Sequence, residues 1–340
     1  MTAAAPAAGA KAVPDSRTGA IRWTFLFGAV VALFGAALPF TASHSPFILA
    51  LASQALIAAI VALSLDLLIG NTGLLSFGHA GWYGLGGYVT GLAAKHVTPE
   101  ILLLLPATCV FVAAVAWLIG AILTRQIGKT FAILTLALSQ IFYSLVFVTA
   151  NWTGGEDGLQ GIPIATLTGV GVASPQAWYW LLYAVLIGTL CLGLYLRRSP
   201  LGRAWLAIKE NSERAEFIGI RVTRLKLLAY VISAAIAALA GGLFALLNGA
   251  VSPDLLNWFE SGKILMYVVL GGVGTIVGPV FGAIAFTFAE HYVSSLTGAW
   301  LIYFGGLFVL IVIVAPGGLF GLVASTWRRV TSRSGGRGEP

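Results

Sequence analysis

Charge is what this sequence has least of. Twelve acidic and nineteen basic side chains leave 9% of 340 residues charged, against roughly 25% in soluble domains. That scarcity excludes a soluble globular fold, and also a chain held open by self-repulsion. Cysteine is almost missing as well. Cys109 and Cys191 each stand alone inside an apolar stretch, so neither a disulfide framework nor a metal site is expected. There is no His-x-x-x-His pair, no Cys-x-x-Cys and no Gly-x-Ser-x-Gly. "GKT" at Gly128–Thr130 ends like a phosphate loop, but Leu123 stands where the first glycine is required. No nucleotide site is expected in the chain, and nothing in it suggests nucleic-acid binding.

What is there is hydrocarbon: 59% of the residues are hydrophobic. Runs without any Asp, Glu, Lys or Arg cover 23–65, 101–124, 130–155, 158–196, 227–253, 264–289 and 291–327. A charge at mid-bilayer costs about 2.5 kcal/mol or more, so such gaps mark membrane spans, each needing about 20 apolar residues. Spans are expected at about 23–40, 46–69, 73–94, 101–123, 130–150, 177–196 and 227–249, followed by a broken segment at 264–290 and a last span at 297–315. The first apolar run is longer than a signal-peptide core and lacks a small-x-small cleavage site, so it reads as a retained helix.

Lysine and arginine orient the chain. The N-tail, the 124–129 turn, the 197–226 loop and the C-terminal tail hold seventeen of the nineteen. The other two, Lys95 and Lys263, fall in opposite-side loops with Glu100, Glu156, Asp157, Asp254 and Glu260. The positive-inside rule puts both termini and the 197–226 loop in the cytoplasm. The 264–290 segment must then cross an even number of times. Its "GGVGTIVGP" run (271–279) breaks a helix, which membranes tolerate where protein satisfies the backbone. Two short helices, 264–275 and 279–290, are therefore expected to go in and come back. The fold class is an all-α polytopic membrane protein of about eight spans plus this re-entrant hairpin, about ten helices in all.

Eight glycines crowd residues 70–91. They allow close helix packing, or a helix lining a pathway with Asn71, Ser76, Gly78 and His79 on it. Paired Gly-interrupted segments in two halves point toward a transport site. Asp66, an acid near the end of its span, joins them as a candidate or serves as a helix-end contact. His79 fits a proton relay, a substrate contact or a packed neutral histidine.

The 197–226 loop is the only long polar segment between spans. Ser199 and Pro200 open a helix, and Leu201, Trp205 and Ile208 fall on one face. Asn211 and Ser212 break and recap the chain. A second helix spans about 213–218, with Gly219 as its stop. A helix pair held by spans on both sides, with Glu210, Asn211, Glu213 and Glu216 among its bases, fits a protein groove better than anionic lipid.

Five stretches together resemble the membrane permease subunits of branched-chain amino acid ABC importers: "GNTGLLSFGHAGWYGLGGY" (70–88), "TGGEDGLQGIP" (153–163), the 199–244 region, "VVLGGVGTIVGPVFGA" (268–283) and "PGGLFGL" (316–322). The likeness is nearest to the permease partner whose outer loop carries a Gly-Gly motif. It implies half of a heterodimeric pore with a second homologous permease. Two ATPase subunits would bind on the cytoplasmic face and hydrolyse the ATP, and an external solute-binding protein would deliver cargo. No cofactor is bound directly and the chain is not an enzyme. Residues 213–219 are similar to the family's "EAA---G" pattern, with Arg214 in place of the middle alanine and no downstream Leu-Pro. The resemblance assigns ATPase coupling to Gly202, Arg203, Ile208, Glu210, Asn211, Glu213, Ala215 and Gly219. It assigns binding-protein docking to Gly154, Gly155 and Gly158.

The chain then divides into a disordered cytoplasmic N-tail (1–22), a transmembrane permease domain (23–322) with an external loop at 151–176, and a basic C-tail (323–340). The bacterial inner membrane is the expected location. Other cargo in the same family, such as urea, short amides or other small acids, stays open. So does an ATP-independent transporter or channel using Asp66 and His79. An intramembrane enzyme would need more converging polar residues than these spans hold.

Overall fold

The computed structural model describes residues 45–126 and 128–314, with isolated positions 35, 39 and 318. The expected first span at 23–40, apart from 35 and 39, and both terminal tails lie outside the described residues.

Within them, α1 (Pro46–Thr72) is the centre. It is apolar on every side and buried along most of its length. Its 27 residues give about 40 Å of helix, more than the roughly 30 Å of a hydrocarbon core. After it come α2 (His79–His96), α3 (Ile101–Leu123), α4 (Lys129–Val148), α6 (Pro175–Arg198) and α9 (Val222–Asn248), with the four-residue α5 (Ala150–Thr153) after α4; α6 and α9 pack on α1, and α2 and α3 pack on α9. The helices α1, α3, α4, α6 and α9 are each long and apolar enough to cross a membrane. Between α6 and α9 run two short helices, α7 (Pro200–Glu210) and α8 (Ser212–Phe217). The chain ends with α10 (Trp258–Gly271), α11 (Val277–Leu296) and α12 (Trp300–Val314).

The expected span at 73–94 starts late. Gly73 closes α1 at φ 74°, its N–H bonded to Ile69 O at 3.1 Å, and the next helix begins only at His79. The six residues between are not helical, yet Leu74, Ser76 and Gly78 are buried. Protein supplies their partners, as a membrane interior requires: Phe77 N donates to Thr135 Oγ1 of α4 at 3.1 Å. Gly78 lies against the same residue's backbone, where an added Cβ would stand 1.8 Å from Thr135 O.

The 264–290 segment folds back as expected, with longer arms than expected. Gly271 abuts Gly278, and the Tyr267 ring sits 5.1 Å from Phe286, so α10 and α11 run antiparallel. The first helix starts earlier than expected and ends at Gly271 rather than at 275, which moves Glu260 and Lys263 from a loop onto α10, and the second runs past Glu290, the last residue of the expected arm.

Glycines set the closest approach, between α2 and α9. A Cβ on Gly86 would lie 2.3 Å from Ala238 O, and one on Gly241 1.8 Å from Tyr83 O. Gly241→Ala should therefore push the two helices apart and cost about 1–3 kcal/mol or more, the usual range for overpacking. Thermal unfolding in detergent measures this. Gly188→Ala in α6, where no described residue lies within 4 Å of an added Cβ, should melt with the parent; equal melting of both variants would sink the packing argument.

Candidate functional site

Three chain elements meet at Asp66. It lies six residues before the end of α1 and is 2% exposed. Its Oδ1 accepts from Gly274 N at 2.5 Å and its Oδ2 from Ile276 N at 3.2 Å. The carboxylate thus holds the turn between α10 and α11. That turn is strained: Ile276 has φ 63°, a region costly for a β-branched residue. Gly70 permits the approach, since a Cβ there would meet Gly274 Cα at 2.8 Å.

Two cations reach this junction from the α7 side, one onto the turn and one onto the end of α1. Arg197, at the end of α6, donates to Gly274 O. Lys209, at the end of α7, donates from Nζ to Gly70 O at 2.8 Å. Both act electrostatically on Asp66. The long polar loop is therefore tied through Arg197 to the break in the hairpin and through Lys209 to the end of α1.

The loop itself folds as its caps dictate. Ser199 Oγ accepts from Gly202 N at 3.2 Å, and Asn211 Oδ1 from Arg214 N at 2.8 Å. Gly219 ends the second helix at φ 87°. One detail differs from the expected face. Leu201 is 36% exposed, while Gly202, Trp205 and Ile208 are buried. Gly202 takes Leu201's place because an added Cβ there would lie 2.3 Å from Leu196 O, so the helix turns its smallest residue to the domain. Of the coupling candidates, Gly202, Ile208 and Ala215 face inward, and Arg203, Glu210, Asn211, Glu213 and Gly219 face out. The sequence reading missed the most exposed apolar residues of the pair, Phe217 at 90% and Ile218 at 72%. Their position at the end of an amphipathic run was the available signal.

The other pathway candidates are enclosed. Asn71 is 2% exposed, Ser76 0% and His79 1%. His79 Nε2 and Ser64 Oγ are 2.7 Å apart, and that hydroxyl donates to Val61 O at 2.6 Å. A hydroxyl has one proton, so Nε2 must be the donor and Nδ1 the acceptor. Among the described residues Nδ1 has no partner, and neither has Ser76 Oγ.

At the opposite end of the bundle, Gly154, Gly155 and Gly158 shape a tight turn. A Cβ on Gly158 would stand 2.3 Å from Val251 O, and Leu159 pairs with Val251 through two 2.9 Å backbone bonds. The loop also forms a small antiparallel hairpin, β1 (Thr166–Leu167) and β2 (Val170–Gly171), which the sequence reading did not foresee. Glu100 anchors it, accepting from Thr166 Oγ1 at 2.8 Å and from the N–H groups of Thr168 and Gly169. The Thr166 hydroxyl first, and the two amides after it, hold the Glu100 carboxyl below its usual range.

The family described as branched-chain amino acid transport system / permease component matches residues 47–316. The high-affinity branched-chain amino acid transport system permease protein LivM of Salmonella typhimurium is 32% identical over 317 residues, covering 86% of this chain and 74% of that protein. LivH of Escherichia coli, a permease protein of the same description, is 25% identical over 289 residues, covering 77% and 91%. The autoinducer 2 import system permease protein LsrC of Klebsiella pneumoniae is 30% identical over 177 residues, covering 49% of this chain and 50% of that protein. No solved structure matches the chain.

Proposed function

Because this chain belongs to the permease-component family of branched-chain amino acid transport systems, we propose that it is one pore-forming half of an ATP-driven importer of those amino acids. The chain is a multi-pass protein of the bacterial inner membrane and is not an enzyme. Its partner is a second, homologous permease. The reading is supported by similarity to both LivM and LivH, two permease proteins named for branched-chain amino acid transport. Two ATPase subunits dock on the cytoplasmic side and an external binding protein docks on the 151–176 loop.

The observation that carries the coupling is a pair of ties from the α7 region, Arg197 to Gly274 in the hairpin break and Lys209 to Gly70 at the end of α1. An ATPase that displaces α7 and α8 pulls on the turn between α10 and α11 and on the end of α1. Access alternates between the two faces as ATP is bound and hydrolysed. This needs ATP to favour one arrangement over the other, since a ligand shifts an equilibrium only by its unequal affinity for the two states. Glu210, Asn211, Glu213 and Arg203 give the docking surface its charge, and Phe217 and Ile218 its apolar centre. The match to LsrC favours a second reading, other small cargo on the same machine.

Purification of the tagged chain from gently solubilised membranes tests the proposal. A second permease and ATPases should co-purify, and the reconstituted complex should accumulate labelled leucine only with ATP and binding protein. Transport by the chain alone, without ATP, would overturn it.

A further inference from the structure

Lys263 holds two carboxylates. Its Nζ lies 3.2 Å from Glu260 Oε1 on its own helix and 3.1 Å from Glu290 Oε1 on α11. The three side chains are only 16%, 26% and 20% exposed. They belong to the packed domain rather than to a watery loop. Ser261, next to Glu260, is 1% exposed, and its Oγ accepts from Ala80 N at 3.0 Å at the start of α2. Ala80 follows His79, which reaches Ser64 inside α1.

Two carboxylates and one ammonium leave one net negative charge. Charges on membrane helices cannot face acyl chains without a large penalty. The open side of this group must look onto water or protein. Glu260 stands near the start of α10. The turn just before it, Pro253–Leu256, follows Val251, whose backbone pairs with Leu159 of the 151–176 loop. Among the described residues the Tyr88 hydroxyl of α2 is buried with no partner.

We propose that Glu260, Lys263 and Glu290 line the translocation pathway and receive the ammonium group of an amino acid cargo. This rests on the importer reading above. The excess negative charge repels an anion and gives an uncharged amide no ion pair. A zwitterion can place its ammonium on a glutamate while its carboxylate takes over Lys263. The Lys263–Glu260 pair gives way to two new pairs, Glu290 keeps its contact with Lys263, and the net charge of the group does not change where desolvation is costly. The exchange admits amino acids and rejects their deaminated analogues.

The assembled complex, with partner permease, ATPases and binding protein, tests this in proteoliposomes supplied with ATP and labelled leucine. Glu260→Gln should lower leucine flux about tenfold or more, the usual loss for a charge-assisted hydrogen bond, with all subunits still co-purifying. Glu290→Gln should act in the same direction, and Glu260→Asp should keep most of the flux. The double variant Glu260→Gln/Lys263→Met should stay inactive. Flux within twofold of wild type in Glu260→Gln would overturn the proposal, as would recovery in the double variant, which marks a purely structural pair. Loss of the partner permease in both glutamine variants would also overturn it, because the group would then be a subunit interface. A wild-type complex that does not move leucine with ATP refutes the importer reading and this inference together. A working wild type with a working Glu260→Gln refutes this inference alone.

Discussion

Phe217→Asp should strip the ATPase subunits from the complex while leaving the second permease bound. Phe217 is 90% exposed and Ile218 72%, side by side at the end of a helix of six residues. That helix is held rigidly for its length. Asn211 caps its start, Ala215 is buried under it, and Ile220 N bonds back to Ala215 O at 3.1 Å. An apolar pair presented this way, rimmed by Glu213, Arg214 and Glu216, has the make-up of an interface centre with a charged rim. Truncating an anchor of this kind typically costs 2 kcal/mol or more, about a thirtyfold loss of affinity, and an aspartate adds the cost of burying a charge against a partner. Co-purification with quantified subunit ratios reads the effect. Retention of the ATPases in parental ratio would place the coupling surface elsewhere. Glu210→Arg with Glu213→Arg, on the rim, should weaken binding less and in a salt-dependent way, since rim charges act mainly through long-range attraction.

The parts of this fold that were legible in the sequence are those written in local chemistry. Charge gaps located the apolar helices, and Ser199, Asn211 and Gly219 marked the ends of α7 and α8 because a cap is decided within three or four residues. The break at 272–276 was visible as a glycine run. The break at 73–78 was not, because an apolar stretch of glycines reads equally as a tight helix and as buried irregular backbone. What separates the two is Thr135, about sixty residues away, whose hydroxyl accepts from Phe77. The same limit hid the ion group. Lys263 and Glu260 looked like loop charges because nothing local says that α10 starts inside the domain. The pairing with Glu290 exists only once the hairpin closes. Asp66 was found as an intramembrane acid, but its partners are two backbone amides some 208 and 210 positions distant, and no spacing rule predicts those.

Asp66→Ala should cost the protein more than any other single change at the loop-to-domain connection. The carboxylate is the acceptor for two N–H groups in a turn closed off from water, and those donors find no replacement in a methyl group. An unsatisfied buried donor costs about 1–3 kcal/mol, so two give about 2–6 kcal/mol. The loss falls on a turn that already carries strain at Ile276, whose conformation persists only while its surroundings impose it. Arg197 and Lys209 also lose the negative charge they face, leaving two cations near one another with only carbonyl oxygens to hold them. Asp66→Asn separates these effects. It keeps an oxygen for Gly274 N but removes the charge and one acceptor, so it should melt between parent and alanine variant. Glu at this position should not rescue, because Gly70 and Gly274 leave no room for another methylene. Thermal unfolding in detergent and ATP-driven leucine uptake read the two consequences. If the turn transmits the movement of α7, uptake should fall further than stability does in Asp66→Asn, and Lys209→Met should share that excess loss while melting near the parent. Uptake that tracks melting temperature across all three variants would reduce Asp66 to a structural brace and detach the hairpin from the coupling path.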